Sequence, residues 1–444
     1  MKIVIAGAGE VGTHLAKMLS DESHDIVLLD DSPEKLSKIS SQVDLMTIVG
    51  SAHSFEDLKK TGLSKADLFI AVTPFEERNV FACSMASHLG VGRTIARINN
   101  SEYLKENYKT KLKNMGIHEL IYPESLAAKE IVASVKQTVT RQLIEFSNGK
   151  LILMGVKVRK NALILNKTLQ ELKLEDHNIS VVAINRDNVT IIPKGQDIIL
   201  DGDIVFFVCT QMEQQHVFDM TGKKVFGVKN IMFLGGSRIA QKAIEKMGDN
   251  YRIKVIEINR EKCEKIADKY GKALVINGDG RDFKLLKDEG IDKMDAFVAT
   301  TGSSETNILM CHLAKSFGVK RTVAEVENLE FTGLAEKMDI GSVINKKLNA
   351  ASYISKFTLN AAISKVKCLT ASDAEVYEFI ARNDARITDK PLKNIGFPEE
   401  AVIGGYIRNG TGYIANGDTL IQDGDKVVVF TLPSGIKKLE KFFK

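Results

Sequence analysis

The chain opens with Met1-Lys2-Ile3-Val4-Ile5-Ala6-Gly7-Ala8-Gly9-Glu10-Val11-Gly12, and this stretch decides the fold. Residues 3–6 form an apolar run typical of a strand buried on both faces, and a glycine pattern follows at the start of a helix. The glycines allow a tight turn, close approach of the backbone to a phosphate, and close packing of the helix on the strand. The helix N-terminus adds free N–H groups and a positive dipole end. The stretch therefore predicts a parallel sheet, and its loop indicates a dinucleotide or adenine-nucleotide site, with a nonbinding turn as the alternative.

The rest of the chain repeats itself. A spacing of 228 residues, as between Gly50 and Gly278, aligns a long block without gaps. The first-copy residues that recur in this block include Phe55, Gly62, Asp67, Thr73, Asn79, Cys83 and Gly90. Further on the spacing is 222, where residues 201–203 (Asp-Gly-Asp) recur as residues 423–425. The sequence thus predicts two copies of one two-part unit.

Each copy changes its pattern half-way. In the first copy the apolar runs 3–6, 26–29, 45–49, 68–72, 94–98 and 120–122 alternate with stretches of helical spacing. Strict alternation of strand and helix predicts a doubly wound parallel sheet. The later runs 151–158, 181–186, 189–193 and 203–208 are separated by short turns, and Asn409-Gly410 adds a strong hairpin signal in the second copy.

The predicted fold class is α/β, with two tandem Rossmann-like domains, each followed by a small, hairpin-rich α+β domain. The predicted boundaries are a first Rossmann domain at 1–124, a connecting helix at 125–142 and a first small domain at 143–225. The second copy follows with a Rossmann domain at 228–347, a connecting helix at 348–365 and a small domain at 366–444.

Asp30 ends the second predicted strand, 18 residues after Gly12. A carboxylate there can accept hydrogen bonds from both hydroxyls of an adenosine ribose. Asp31 follows where a 2′-phosphate would need a cation, so the sequence favours NAD over NADP.

Further contacts are predicted where the later strands end, because ligands of such sheets bind at the carboxyl ends of the strands. Ser51 and Ala52 are expected beside the adenine, and Thr73 beside the linking phosphates or the second ribose. Pro74 follows Thr73 and offers no backbone N–H. Arg97 is a cation in an apolar strand end, which suits a phosphate; an ion pair with a nearby acid is the alternative.

The second copy carries an altered site. Its fingerprint reads Gly235-Gly236-Ser237-Arg238-Ile239-Ala240, which keeps the first glycine and replaces the other two by Ser237 and Ala240. Close approach of a phosphate is less easy there. The rim is preserved by Glu257, at the position of Asp30, and by Asp279 and Thr301, whereas Glu325 replaces Arg97. The sequence does not decide whether this second site binds a nucleotide or stays empty.

Composition limits the function classes. The chain has 61 Lys and Arg against 57 Asp and Glu, without a long basic run, so the sequence indicates no dedicated nucleic-acid or membrane surface. The five cysteines lie far apart and none has metal-ligand spacing, which favours a reduced, cytoplasmic protein without a metal site. The longest apolar runs, such as residues 204–209, are far shorter than the ~20 residues that cross a bilayer. A membrane role is expected to depend on a partner.

The sequence favours a regulator over an enzyme. A dehydrogenase needs an acid or base beside the nicotinamide. The first small domain contains only His177 and His216, and residues 313–444 contain no histidine. Because Lys or Tyr could serve instead, a soluble NAD-dependent oxidoreductase stays open as the alternative.

A glycine-fingerprint domain followed by a small hairpin-rich domain, repeated over the whole chain, resembles the tandem RCK/KTN family of TrkA-like potassium uptake proteins. The matching residues are 1–5 before the fingerprint, 71–73, 95–98, and the turns at 201–203 and 423–425. The resemblance implies a regulatory subunit, peripheral on the inner face of the cell membrane, that gates an integral-membrane potassium-conducting partner. It also implies a homo-oligomer, either a dimer or a tetrameric ring.

The resemblance implies NAD(H) as an effector, with ATP or ADP as further candidates. Carried over by position, residues 7–11 would cradle phosphates, Asp30 would hold the ribose, and Arg97 would contact a phosphate. Thr73 and Pro74 would line the site. The sequence departs from the family at Asn99, where a second basic residue is frequent. The usual Glu-Thr-Asn occurs at residues 305–307 but reads Glu77-Arg78-Asn79 in the first copy. These departures leave the choice between NADH and ATP open, and a sensing module of another transporter is a further alternative.

Overall fold

The computed structural model describes residues 1–21, 24–187, 189–328, 330–358, 362–369 and 374–444. The first domain is built from alternating strands and helices. Its strands are β1 (Lys2–Ala6), β2 (Asp25–Asp30), β3 (Met46–Val49), β4 (Leu68–Ala71), β5 (Arg93–Arg97) and β6 (Glu119–Ile121). Its helices are α1 (Glu10–Asp21), α2 (Pro33–Ser40), α3 (Phe55–Lys60), α4 (Glu76–His88) and α5 (Glu106–Asn114), and α6 (Pro123–Lys136) follows.

The first sheet is parallel, with strand order β3-β2-β1-β4-β5-β6. The four apolar residues of β1, at positions 3–6, are fully buried because helices cover both faces of such a sheet. Successive strands are added on one side of β1 up to β3 and on its other side from β4 onward. Ligands of doubly wound sheets bind where this order switches, between β1 and β4. The strand order therefore directs attention to the loops after β1, β2 and β4.

The first small domain is an antiparallel sheet with order β10-β9-β11-β8-β7. Its elements are β7 (Gln142–Phe146), β8 (Leu151–Lys157), β9 (Ile179–Arg186), β10 (Val189–Ile191), β11 (Ile204–Cys209) and α7 (Gln214–Met220). The prediction of a connecting helix over 125–142 was too long, since α6 ends at Lys136. Thr138 and Val139 form a turn after it, and β-branched side chains such as theirs are less favourable in a helix. Strand β7, which begins at Gln142, was not predicted from the sequence.

The second copy repeats the architecture. Its Rossmann-like domain contains β12 (Asn230–Leu234), α8 (Arg238–Met247), β13 (Arg252–Glu257), α9 (Arg260–Lys269), β14 (Leu274–Asn277), α10 (Phe283–Asp288), β15 (Ala296–Ala299), α11 (Ser304–Ser316), β16 (Arg321–Glu325), α12 (Glu330–Lys337) and β17 (Ser342–Ile344). The parallel order β14-β13-β12-β15-β16-β17 matches the first sheet. Helix α13 (Lys346–Ser355) follows and is shorter than the 348–365 predicted; residues 359–361 lie outside the described residues.

The second small domain contains β18 (Ile363–Cys368), β19 (Glu375–Ile380), β20 (Ala401–Arg408), β21 (Thr411–Ile414), β22 (Lys426–Thr431) and α14 (Ile436–Glu440). Its antiparallel order is β18-β19-β22-β20-β21. Asn409 and Gly410 turn the hairpin with φ of 51° and 77°, the positive values that a tight two-residue turn requires. The predicted fold class is confirmed.

A buried aspartate explains the repeated Asp-Gly-Asp turn of the small domains. Asp203 and Asp425 are each 1 % exposed and each accepts two hydrogen bonds from one guanidinium, that of Arg186 or Arg408. The N–O distances are 2.6–2.9 Å, as expected for a bidentate pair. These hydrogen bonds raise the pKa of both arginines.

Contacts divide the chain into two units, residues 1–126 with 347–359 and residues 127–346 with 360–444. Within the first unit, α13 packs on the first parallel sheet through Ala350, Ala351 and Ile354. Within the second unit, residues 127–136 of α6 pack on the second parallel sheet. Each Rossmann-like domain is thus covered by the helix that leaves the other one.

Asp339 organises a cluster of cations within the second unit. Its carboxylate pairs with Arg141 and Arg159 of the first small domain and with Lys315 of the second Rossmann-like domain. Burial and the neighbouring arginines lower the pKa of Lys315 to about 8. In the described part of the chain, no helix combines the length and apolarity needed to cross a bilayer.

Candidate nucleotide-binding clefts

The loop between β1 and α1 is tightly packed at Gly7 and Gly12 and open at Gly9. Gly7 adopts φ +110°, and a Cβ there would lie 2.9 Å from the backbone nitrogen of Thr73. A Cβ on Gly12 would lie 1.8 Å from the carbonyl oxygen of Gly7, so only glycine fits this crossing of loop and helix. Gly9, in contrast, faces open space with no atom within 4 Å of its Cβ position. That space lies beside the N-terminus of α1, where an anion is favoured.

Asp30 holds this loop in place. Its carboxylate accepts a hydrogen bond from the N–H of Ala8 at 2.6 Å and another from the N–H of Ser32 at 2.9 Å. The Lys35 ammonium lies 3.6 Å from the same carboxylate. Asp30 is 9 % exposed, so it is a nearly buried charge satisfied by backbone donors. The residue predicted for the ribose also fixes the glycine loop between β1 and α1.

The predicted rim residues come together around one small cavity of about 110 Å³. Of the predicted residues, those that line it are Gly7, Asp30, Ser51, Ala52, Thr73 and Pro74. Ala8, Glu10 and Val11 lie in the loop and the first turn of α1 without lining it. His53 also lines the cavity and hydrogen-bonds the Ser51 hydroxyl at 2.7 Å.

Arg97 does not line this cavity. Its guanidinium donates to the Glu124 carboxylate at 2.9 Å, and both side chains are largely buried. The structure therefore supports the ion-pair alternative for Arg97. Nε of Arg97 and Oε2 of Glu124 are buried without a hydrogen-bond partner. The acid comes from the first turn of α6, 27 residues along the chain.

Sequence reasoning missed the role of Asn79. This buried amide accepts from the N–H and the hydroxyl of Thr73 at 2.9 and 2.6 Å and donates to the carbonyl of Arg97 at 2.9 Å. It thus joins the ends of β4 and β5. Asn307 repeats the same bonds to Thr301 and to the carbonyl that ends β16. The recurrence of this asparagine in both copies was the signal that could have revealed it.

In the second cleft, too, an acid at the end of the second strand accepts a backbone N–H of the glycine loop. We call this arrangement the carboxylate clip. Glu257 accepts from the N–H of Gly236 at 2.7 Å and from the N–H of Asn259 at 2.8 Å. Gly235 occupies the position of Gly7 and, like it, adopts a positive φ, of 89°. Ser237 caps α8, because its hydroxyl accepts from the N–H of Ala240. One donor at this helix terminus is therefore already occupied.

This second cavity has a volume of about 410 Å³. The predicted residues that line it are Gly235, Ser237, Glu257, Asp279 and Thr301. Arg238 and Ile239 start α8 and do not line it; the Arg238 side chain is exposed and Ile239 is buried. Arg281 lies 2.7 Å from Asp279 and lowers the pKa of that carboxyl to about 2. The rim thus carries an exposed, fully ionised pair.

Two family models each match two segments of the chain, and together these segments cover most of it. The TrkA-N domain model matches residues 3–123 and 231–346, and the TrkA-C domain model matches residues 153–222 and 376–444. The chain belongs to the TrkA family. The resemblance inferred from the sequence is confirmed.

TrkA relatives align over their full length. The Trk system potassium uptake protein TrkA homolog 1 of Methanosarcina mazei is 32% identical, with 100% of both chains covered. TrkA of Haemophilus influenzae is 29% identical, with 100% of this chain and 99% of that protein covered. Among solved structures, the GsuK RCK domain matches with a TM-score of 0.62 at 14% identity and covers 100% of this chain and 94% of that one. The GsuK channel bound to NAD matches with a TM-score of 0.61 at 15% identity, covering 100% and 78%. These structural matches support the fold.

Proposed function

We propose that this TrkA-family protein is a nucleotide-binding regulatory subunit that controls a membrane potassium-conducting partner of a Trk-type uptake system from the cytoplasmic side. The carboxylate clip carries the nucleotide part of the proposal. In both copies an acid at the end of the second strand, Asp30 or Glu257, accepts a backbone N–H of the glycine loop. The relatives named for potassium uptake support the transport part.

The proposed ligand of the first cleft is NAD(H), with ATP or ADP as further effectors. Asp30 uses one lone pair of each oxygen for Ala8 or Ser32 and keeps others for ribose hydroxyls. The open space beside Gly9 is available to a pyrophosphate. The GsuK channel, whose fold this chain shares, has been solved bound to NAD, which supports this choice.

Regulation would act through α13. Glu10 in the first turn of α1 lies 3.6 Å from the ammonium of Lys347, at the start of α13. A phosphate bound at the loop would add negative charge beside Glu10 and compete for the same cation. Because α13 also packs on the first sheet, a nucleotide would alter the packing of a helix that belongs to the second copy. A ligand that favours one packing shifts the equilibrium toward it, and the partner changes nucleotide affinity by the same factor.

The proposed assembly is a homo-oligomer. A dimer would contribute four Rossmann-like domains, enough to close a ring with pseudo-symmetry beneath a potassium-conducting partner. We propose a regulatory rather than a catalytic role, since the lining of both clefts is explained by binding and loop positioning.

The test is potassium uptake at low external potassium in cells that lack the gene. Wild type should restore uptake, and Asp30→Asn should restore it poorly or without nucleotide control. Asp25→Asn is the matched control, since Asp25 is exposed at the opposite end of β2. Unchanged uptake in the deletion strain would refute the transport role. Substrate-dependent change of nicotinamide absorbance by the purified protein would instead support an oxidoreductase.

A further inference from the structure

The two clefts of one chain share a frame but differ in size. Each has a glycine loop clipped by an acid and a threonine held by a buried asparagine. The first encloses about 110 Å³ and the second about 410 Å³. Ligand pockets in proteins typically measure about 300–1,000 Å³. Only the second cleft is therefore large enough, as it stands, for a nucleotide.

The residues after the shared threonine account for the difference. Phe75 and Arg78 line the first cavity. At the spacing of 228, their counterparts in the second cavity are Ser303 and Thr306, which are much smaller. The Arg78 guanidinium lies 4.3 Å from the centroid of the Phe75 ring, so the two side chains stack at the mouth of the first cleft.

In the first copy, Phe75 stands where a residue that caps the helix would be expected. Ser303 is the N-cap of α11, and its hydroxyl accepts from the N–H of Thr306 at 3.1 Å. Phe75 occupies the N-cap position of α4 and makes no side-chain cap hydrogen bond. Serine is strongly preferred at that position over large apolar residues. The aromatic ring is therefore not explained by the stability of α4.

Both side chains of the stack face solvent. Phe75 is 48 % exposed, and Arg78 is exposed as well. A cation–π contact at an exposed site is weak, so thermal motion can open it. The pair can thus narrow the cleft without sealing it.

We infer that the second cleft is the preformed adenine-nucleotide site, and that Phe75 and Arg78 form a plug that must swing aside before the first cleft fills. The inference rests on the proposed function, because it takes both clefts to be nucleotide sites. The order in which the two clefts fill is then determined by Phe75 and Arg78, which lie outside the glycine fingerprint. The altered fingerprint of the second copy thus belongs to the cleft that fills first.

The experiment measures ADP binding to the full-length protein by isothermal titration calorimetry. Wild type should show a tighter and a weaker class of sites. Glu257→Gln should remove the tighter class, and Asp30→Asn should remove the weaker one. Loss of the tighter class in Asp30→Asn would overturn the order of filling.

Exchange of residues between the copies tests the plug. Phe75→Ser with Arg78→Thr should raise the affinity of the first cleft by roughly threefold to tenfold, because a closed plug reduces apparent affinity by the open fraction. Ser303→Phe with Thr306→Arg should weaken the second cleft by a similar factor. Phe81→Ser is the matched control, since Phe81 is an exposed ring on α4 that does not line the cavity.

The single variants separate a plug from a ligand contact. If Arg78→Thr alone weakens binding at the first cleft, Arg78 contacts the nucleotide and the plug is refuted. Unchanged affinity in the first exchange variant would refute it as well. Absence of ADP and NAD binding from every form would refute the proposed function itself, an outcome distinct from binding in the wrong order.

Discussion

Replacing Asp30 by asparagine should loosen the glycine loop of the first cleft. The carboxylate accepts the N–H of Ala8 and that of Ser32, with N–O distances of 2.6 and 2.9 Å. An asparagine keeps one acceptor and turns its NH₂ group toward the other N–H. One charge-assisted hydrogen bond becomes neutral and one buried donor loses its partner. From about 1.5–3 kcal/mol for a hydrogen bond to a charged group and about 1–3 kcal/mol for an orphaned donor, we expect a local loss of about 2–3 kcal/mol.

Hydrogen–deuterium exchange of the loop measures this loss without requiring the whole chain to unfold in one step. A loss of about 2–3 kcal/mol corresponds to roughly thirtyfold to 150-fold faster exchange at Ala8. Gly236, clipped by Glu257 in the second cleft, should exchange at its wild-type rate and is the control within the same molecule. Asp25→Asn should leave both rates unchanged. Equal exchange at Ala8 in wild type and Asp30→Asn would show that the carboxylate does not hold the loop.

Three further outcomes follow from other contacts. Glu124→Gln should lower the stability of the first Rossmann-like domain by about 3 kcal/mol, because Arg97 would remain buried with a weaker partner, and differential exchange of β5 measures it. Asp425→Asn should destabilise the second small domain by about 3 kcal/mol through loss of the bidentate bond to Arg408; an unchanged denaturation midpoint would contradict this. The pKa of Lys315 is lowered from 10.5 to about 8, so the unfolded chain binds more protons between these values and stability from this group should rise as pH increases through that window. Lys315→Met should remove that rise, whereas midpoints that stay parallel from pH 7 to pH 10 would exclude it.

The sheets could be predicted from sequence because their signals are local. A fully buried parallel strand has an apolar run whatever its neighbours are, and a positive φ at Gly7 restricts the choice of residue by itself. Asp30 was identified because its role depends on a fixed distance from the fingerprint. The repeat doubled each of these signals and made the domain order visible.

Tertiary partners could not be predicted in the same way. Arg97 carries the same charge whether it meets a phosphate or Glu124, and only the position of α6 decides between them. The packing of α6 and α13 on the sheets of opposite copies also leaves no local pattern, since both helices are apolar on one face in either arrangement. Periodicity specifies that a face is buried and does not specify against what.

In the two copies, the residues that shape the bottom of the cleft are alike and the residues at its mouth differ. Contacts that hold the loop and the threonine recur in both: the acid clip of Asp30 or Glu257, and the amide of Asn79 or Asn307. Side chains at the mouth differ, and those of the first cleft are bulkier although its glycine fingerprint is intact. A fingerprint specifies how closely a phosphate can approach the backbone, whereas the residues after β4 decide whether the nucleotide can enter. The number of glycines in the fingerprint is therefore a poor guide to which of two such clefts fills first.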